Sequence, residues 1–318
     1  MRALLVAPLL LLVPLAASLA PPVAPVTHAA CPGAPAPVLF AAWETQLENL
    51  AFHEGRLLVS DIGGDRLLTF DASGALLDAT PVPGMHGVTV GPEGAVYVGA
   101  SGAGGVEVWR LGEGAPEVVA TELPAANGLA FDAAGNLFVS SPLTQAPPYL
   151  VRLPAGDMGA WETWGDQYGT NGLWLDGDSL LAAVTADQSS PILRISTSDP
   201  DDVAVVAQLS LGVATLQPGA HAPAGQPTLL PKGLDDLTLA PDGMIYAAAH
   251  VAGEVLRVDP ASGAACVLAS GLEEPTSVRV AQGFGAWDGQ LFVTDMGGVA
   301  VTALAGPGAG AVWALDIR

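Results

Sequence analysis

"ANGLAFDAAGNLFVS", residues 126–140, and "TNGLWLDGDSLLAAVT", residues 170–185, are one pattern written twice: Asn-Gly, an apolar run, a turn with glycine, and a second apolar run. Short apolar runs separated by turn residues are strand signals, and helical periodicity is nearly absent from the chain. The pattern returns as "GVTVGPEGAVYVGASG" (87–102) and "DLTLAPDGMIYAAAH" (236–250). Aligned on their turns, the copies place the heads of successive first strands at Glu48, His86, Asn127, Asn171, Asp235 and Thr276. The intervals are 38, 41, 44, 64 and 41 residues.

Units of about forty residues with four strands are propeller blades. The sequence therefore predicts an all-β fold, a six-bladed β-propeller over residues 38–318. The 64-residue interval predicts an insertion in the fourth repeat, placed at 211–233, where Gly and Pro replace strand alternation. The sixth repeat supplies three strands, "TSVRV", "QLFVTD" and "GAVWALDI"; "PVLFAAW" (37–43), ahead of the first repeat, supplies the missing one. Closing the last blade with this N-terminal strand covers a sheet edge that would otherwise be open.

Equivalent positions of successive blades lie on a circle around the central channel, so the aligned column becomes a ring. Two carboxylates and two carboxamides in that ring are the oxygen donors that calcium prefers. Zinc would call for more His or Cys, and His86 is the one such residue there. Asn and Asp also cap turns, and that explanation of the same column stays open. Glycine after Asn127 and Asn171 lets a neighbouring blade approach closely. Asp61 and Asp295, in "SDIGG" and "TDMGG", follow second strands and are read as turn acids at the blade end away from the ring.

The first twenty residues, one early Arg and a long apolar run ending in Ser18-Leu19-Ala20, read as a signal peptide, and 21–37 as a Pro/Ala-rich linker. These features predict a secreted or periplasmic protein with no later membrane span. The two cysteines, Cys31 and Cys266, form a disulfide in that setting or else remain two separate thiols. Ten basic against thirty-two acidic residues give a net charge of −22. Such a chain repels nucleic acid and anionic membranes and attracts cations. No G-x-S-x-G elbow and no dinucleotide fingerprint is present, which removes the serine-hydrolase and nicotinamide routes.

At these residues the sequence resembles the calcium-dependent six-bladed propeller hydrolases: the regucalcin/gluconolactonase family, the paraoxonases and the squid-type diisopropylfluorophosphatase. The resemblance spans roughly residues 38–318 and implies a calcium ion, or another divalent cation, held by Glu48, Asn127, Asn171 and Asp235. "MHGVTV" resembles the paraoxonase His-Gly and implies proton transfer at His86; "LDDLTL" resembles a paired Asp-Asn, with Asp236 in place of the Asn. Asp236 and Thr276 are possible additional ligands. Ala125 stands where gluconolactonases often carry Arg, and Thr276 where the squid enzyme has His. The implied activity is hydrolysis of a small-molecule lactone or ester by a monomer, with His86 and Asp235 (or Glu48) as candidate bases. The competing expectation is a non-catalytic propeller that binds a protein, glycan or envelope partner.

Overall fold

The turn glycines set the hairpins. In the computed structural model Gly135 (φ 85°) and Gly243 (φ 80°) close four-residue turns, donating to Asp132 O (3.1 Å) and Ala240 O (2.9 Å). This left-handed conformation costs glycine nothing sterically. Each turn folds a first strand back on a second, Leu129–Phe131 on Leu137–Ser140 and Leu234–Leu239 on Ile245–Ala249.

The structure describes residues 27–112, 114–142, 144, 146–210, 232–297 and 309–318. Their strands form six four-stranded antiparallel sheets, the blades of a propeller, and they include no α-helix. Blade one is Leu47–His53, Arg56–Asp61, Arg66–Phe70 and Leu76–Pro81, in that order from the channel outward. The inner strands of the next five blades are Val88–Val90, Leu129–Phe131, Thr170–Asp176, Leu234–Leu239 and Pro275–Val280. In blade six Val38–Ala42 pairs with Ala311–Leu315, so the first described strand of the chain is hydrogen-bonded to the last. Most of the insertion expected at 211–233, and the signal segment at 1–20, lie outside the described residues.

Alternating side chains give each sheet two faces, and the buried clusters sit between blades. Leu181, Ala183 and Ile192 of blade four meet Leu237, Ala247 and Leu256 of blade five. The seam between blades six and one is aromatic instead. There Phe40 packs on Phe292 (5.0 Å between centroids) and Phe52 on Phe284 (5.1 Å). Large rings bury much area per residue, which suits the seam where the two ends of the chain must hold together.

Part of the segment read as a linker is engaged. Cys31 is disulfide-bonded to Cys266 in Ala265–Ser270, the outer strand of blade five. Ala30 forms a parallel bridge with Val267, with Cys31 N–H donating to Val267 O and Val267 N–H to Ala29 O, both at 2.8 Å. His28 Nε2 lies 3.0 Å from Leu209 O, beyond the last strand of blade four.

Candidate metal and active site

Regular strands alternate their side chains between two faces, so aiming a side chain along the channel axis needs a break in that alternation. Register breaks occur between Leu47 and Leu50, Thr170 and Leu173, Leu234 and Leu237, and Pro275 and Ser277. Such irregularities re-aim side chains. Glu48, Asn171, Asp235 and Thr276 sit inside these breaks, and all four are buried. His86 and Asn127 occupy the same place just ahead of Val88–Val90 and Leu129–Phe131. The six heads are thus structurally equivalent, as the alignment predicts.

Three of these heads are followed by glycine, and each glycine abuts the next blade. A Cβ on Gly87 would lie 1.8 Å from Asn127 O, one on Gly128 2.2 Å from Asn171 O, and one on Gly172 2.3 Å from Asp236 Cα. No side chain fits at those separations. The Asn-Gly pairs therefore combine a polar group in the ring with a backbone contact that only glycine permits.

Side chains of the ring meet in two pairs. Asn127 Nδ2 donates to Glu48 Oε1 across the channel (3.5 Å), and Asn49 Nδ2 donates to Asn127 Oδ1 (3.4 Å). Asn171 Nδ2 donates to Asp235 Oδ1 and to Thr185 Oγ1 (2.9 Å), whose hydroxyl donates in turn to Leu234 O (2.6 Å). The two possible additional ligands have other partners. Thr276 Oγ1 donates to Glu48 O (2.8 Å). Asp236 accepts from Leu237 N–H (2.8 Å), Ser277 Oγ and Arg279 Nη1 (2.6 Å).

Two ring oxygens, Glu48 Oε2 and Asn171 Oδ1, are buried without a hydrogen-bond partner. Buried polar atoms are nearly always satisfied, and each exception calls for an explanation. The acids are uncomfortable too. Burial pushes Glu48 up to about 7, with the Asn127 hydrogen bond opposing and the Asp236 charge adding to the rise. Asp235 is raised well above the usual carboxylate range by burial and then by the charges of Glu48 and Asp236, against the hydrogen bond from Asn171. A cation bound among these oxygens would supply the missing partner and relieve the repulsion, so the residues fit calcium. Among the described residues no three His, Cys, Asp or Glu side chains cluster as a metal centre. The carboxamides would have to provide half of the protein ligands, which suits a hard oxygen-seeking ion and not zinc.

Both histidines near the ring are held toward the neutral form. Burial lowers the His86 pKa, with Asp65 opposing, and burial likewise lowers that of His250. The alignment misses His250, whose Nδ1 lies 3.6 Å from Asp235 Oδ2. It follows Ile245–Ala249, in a column of second-strand ends that also holds Thr185. The placing of Asp61 and Asp295 at the far end of the blade needs correction for the same reason. Asp61 is paired with Leu47 and Asp295 with Pro275, beside the ring, because an antiparallel hairpin returns the end of its second strand to the start of its first. Their role as turn acids stands: Asp61 accepts from Gly64 N–H (2.8 Å) and Arg66 Nε (2.6 Å), and Asp295 from Glu274 N–H (2.8 Å). Asn49, also missed, stands one residue after Glu48, in the column that holds glycine in blades two to four.

No protein-family model and no curated protein matches the sequence. Solved structures do. The chain is similar to a gluconolactonase from Xanthomonas campestris, at 18% identity and TM-score 0.63 over 92% of this chain and 94% of that one. It is similar to regucalcin from Agrobacterium tumefaciens, a calcium-binding protein, at 16% identity and TM-score 0.64 over 89% and 94%. It is also similar to the PQQ-bound aldose sugar dehydrogenase of Streptomyces coelicolor, at 16% identity and TM-score 0.58 over 88% and 97%. A gluconolactonase and a PQQ-bound sugar dehydrogenase on one fold show that the propeller leaves the chemistry to the site.

Proposed function

We propose that the protein is an extracytoplasmic hydrolase of lactones or esters that works with a calcium ion held by Glu48, Asn127, Asn171 and Asp235. The observation that carries this reading is the pair of unpartnered buried oxygens, Glu48 Oε2 and Asn171 Oδ1, set among acids whose ionisation the protein alone disfavours. The likeness to a gluconolactonase and to a calcium-binding regucalcin supports it. The disulfide and the signal-like N-terminus support a place outside the cytoplasm.

When bound, calcium supplies a Lewis acid that polarises an ester carbonyl and stabilises the developing oxyanion. The chain's own groups do the rest. His86, part-exposed at the ring and neutral near pH 7, takes the proton of the attacking water. Asp235 is the second candidate base, steadied by Asn171, with the His250 ring 3.6 Å away. Thr185 and Thr276 fix the inner strands to one another and so hold the ring residues in place.

Melting and hydrolysis of a lactone and aryl-ester panel, measured with calcium and with chelator, test the proposal. Calcium at a hundred times its Kd is expected to add about 2.7 kcal/mol of stability, and Asp235→Ala to lose both that gain and turnover. Hydrolysis that persists in chelator would overturn the metal assignment. Stabilisation by calcium with no panel member hydrolysed would transfer the site to a binding role.

A further inference from the structure

Beyond the ring, the same inner strands line a second, half-open space. A cavity of about 330 Å³ occupies the channel, with Phe52, Val90, Phe131, Trp174, Arg279 and Gln282 in its wall. None of the six ring residues lines it. Phe52, Val90 and Phe131 lie toward the later ends of strands whose heads belong to the ring, so the cavity is at the opposite end of the channel. Gln282 is exposed at its rim. Its wall joins aromatic rings to polar groups in about equal measure, and concave spaces of this size that pair apolar walls with placed polar groups are a usual form of small-molecule sites.

Arg279 is the polar group that sets the chemistry. Its side chain is only 13% exposed, and its guanidinium lies 5.4 Å from the centroid of Trp174. The hydrogen bonds described for it all leave from Nη1, to Asp236 Oδ2 (2.6 Å), Val278 O (2.7 Å) and Leu237 O (2.9 Å). A guanidinium carries further donors on Nε and Nη2, along the edge that planar oxygen acceptors engage. Asp236, itself buried, already neutralises the charge. A carboxylate arriving here would be an uncompensated buried anion in a channel that also holds Glu48 and Asp235. A neutral carbonyl oxygen can accept from the same edge without that penalty.

We propose that this end of the channel is a second ligand site, for a small, neutral, part-apolar carbonyl compound such as a ketone, ester or amide. The carbonyl oxygen accepts from the Nε and Nη2 edge of Arg279, and the body of the ligand packs against Phe52, Phe131 and Trp174. The site does not depend on hydrolysis at the ring.

Titration of the full chain by fluorine NMR with 4-fluoroacetophenone, 4-fluorobenzoate and 4-fluorotoluene tests it. The ketone is expected to bind at least tenfold more tightly than the anion or the hydrocarbon. Val90→Phe, or Thr89→Leu should the first variant not fold, fills the space and should weaken ketone binding tenfold or more while leaving calcium stabilisation unchanged. Arg279→Lys keeps a charge beside Asp236 but lacks the planar edge, and about a tenfold loss is expected. Asp235→Ala should leave ketone binding intact, separating this site from the ring. Absence of ketone binding at millimolar concentration would overturn the proposal. So would a preference for the benzoate, binding indifferent to both filling variants, or loss of binding in Asp235→Ala.

Discussion

The ring divides into two halves built by different means. In blades two to four each head is followed by glycine, and the next blade's backbone comes so near Gly87, Gly128 and Gly172 that no Cβ fits. In blades five, six and one the same column holds Asp236, Ser277 and Asn49, and contact passes through side chains instead. The first half fixes geometry by exclusion and adds no charge. The second half carries both ring acids, Asp235 and Glu48, and the Arg279 that offsets Asp236. One position in a repeat can thus set distance in one blade and charge balance in another.

Asp236→Ala attacks the charged half and should have the largest effect. It leaves Arg279 buried without its partner, a change of about 3–5 kcal/mol, measurable by denaturant unfolding. Gly128→Ala attacks the other half. A methyl 2.2 Å from Asn171 O forces the two blades apart, at a cost of about 3 kcal/mol. Gly112→Ala, where nothing lies within 4 Å, serves as the control and should be near neutral. If the two glycine variants lost equal stability, close backbone approach would not be what sets the geometry of this half.

The smallest expected effect is the dependence on pH that Glu48 of the charged half introduces. Glu48 has a folded pKa of about 7 against an ordinary 4.5. A carboxyl raised on folding contributes stability fully below its unfolded pKa, and that contribution is lost as pH rises through the folded value. In chelator the wild type should therefore lose melting temperature relative to Glu48→Gln between about pH 4.5 and 7, on the order of 5 °C, the opposing rise from the two buried histidines being common to both proteins. Calcium should abolish the loss that Glu48 causes, since the ion favours the ionised form, while Asp235, raised by burial as well, contributes to both proteins. A wild type whose melting temperature follows that of Glu48→Gln at every pH in chelator would show that burial does not hold Glu48 as described.

The six blades were legible because every repeat carries its own turn glycine and its own apolar runs, so the register could be read without tertiary information. The ring was legible for the same reason: one column of that register is one circle in space. His250 was not. Its column is the end of a second strand, and only the reversal inside the hairpin brings that end back beside Asp235. The same reversal moves Asp61 and Asp295 to the ring end, although their turn-binding role could be read from the glycines that follow them. The Asp236–Arg279 pair escapes a linear reading as well. It joins residues 43 apart on neighbouring blades, and no local pattern announces such a contact.

Pairing Val38–Ala42 with Ala311–Leu315 also has a consequence in time. The first described strand must wait for the last described one, and Cys31 for a partner 235 residues away. Blades one to five have their strands in sequence order and can form as local hairpins soon after they emerge. Closure is a contact of very high sequence separation, the kind that folds late and slowly. Until it occurs blade six is incomplete, and Glu48 lacks the neighbouring Thr276 that ties it down. The circle of oxygens is consequently the last part of the molecule to acquire its shape, however early its individual members are made.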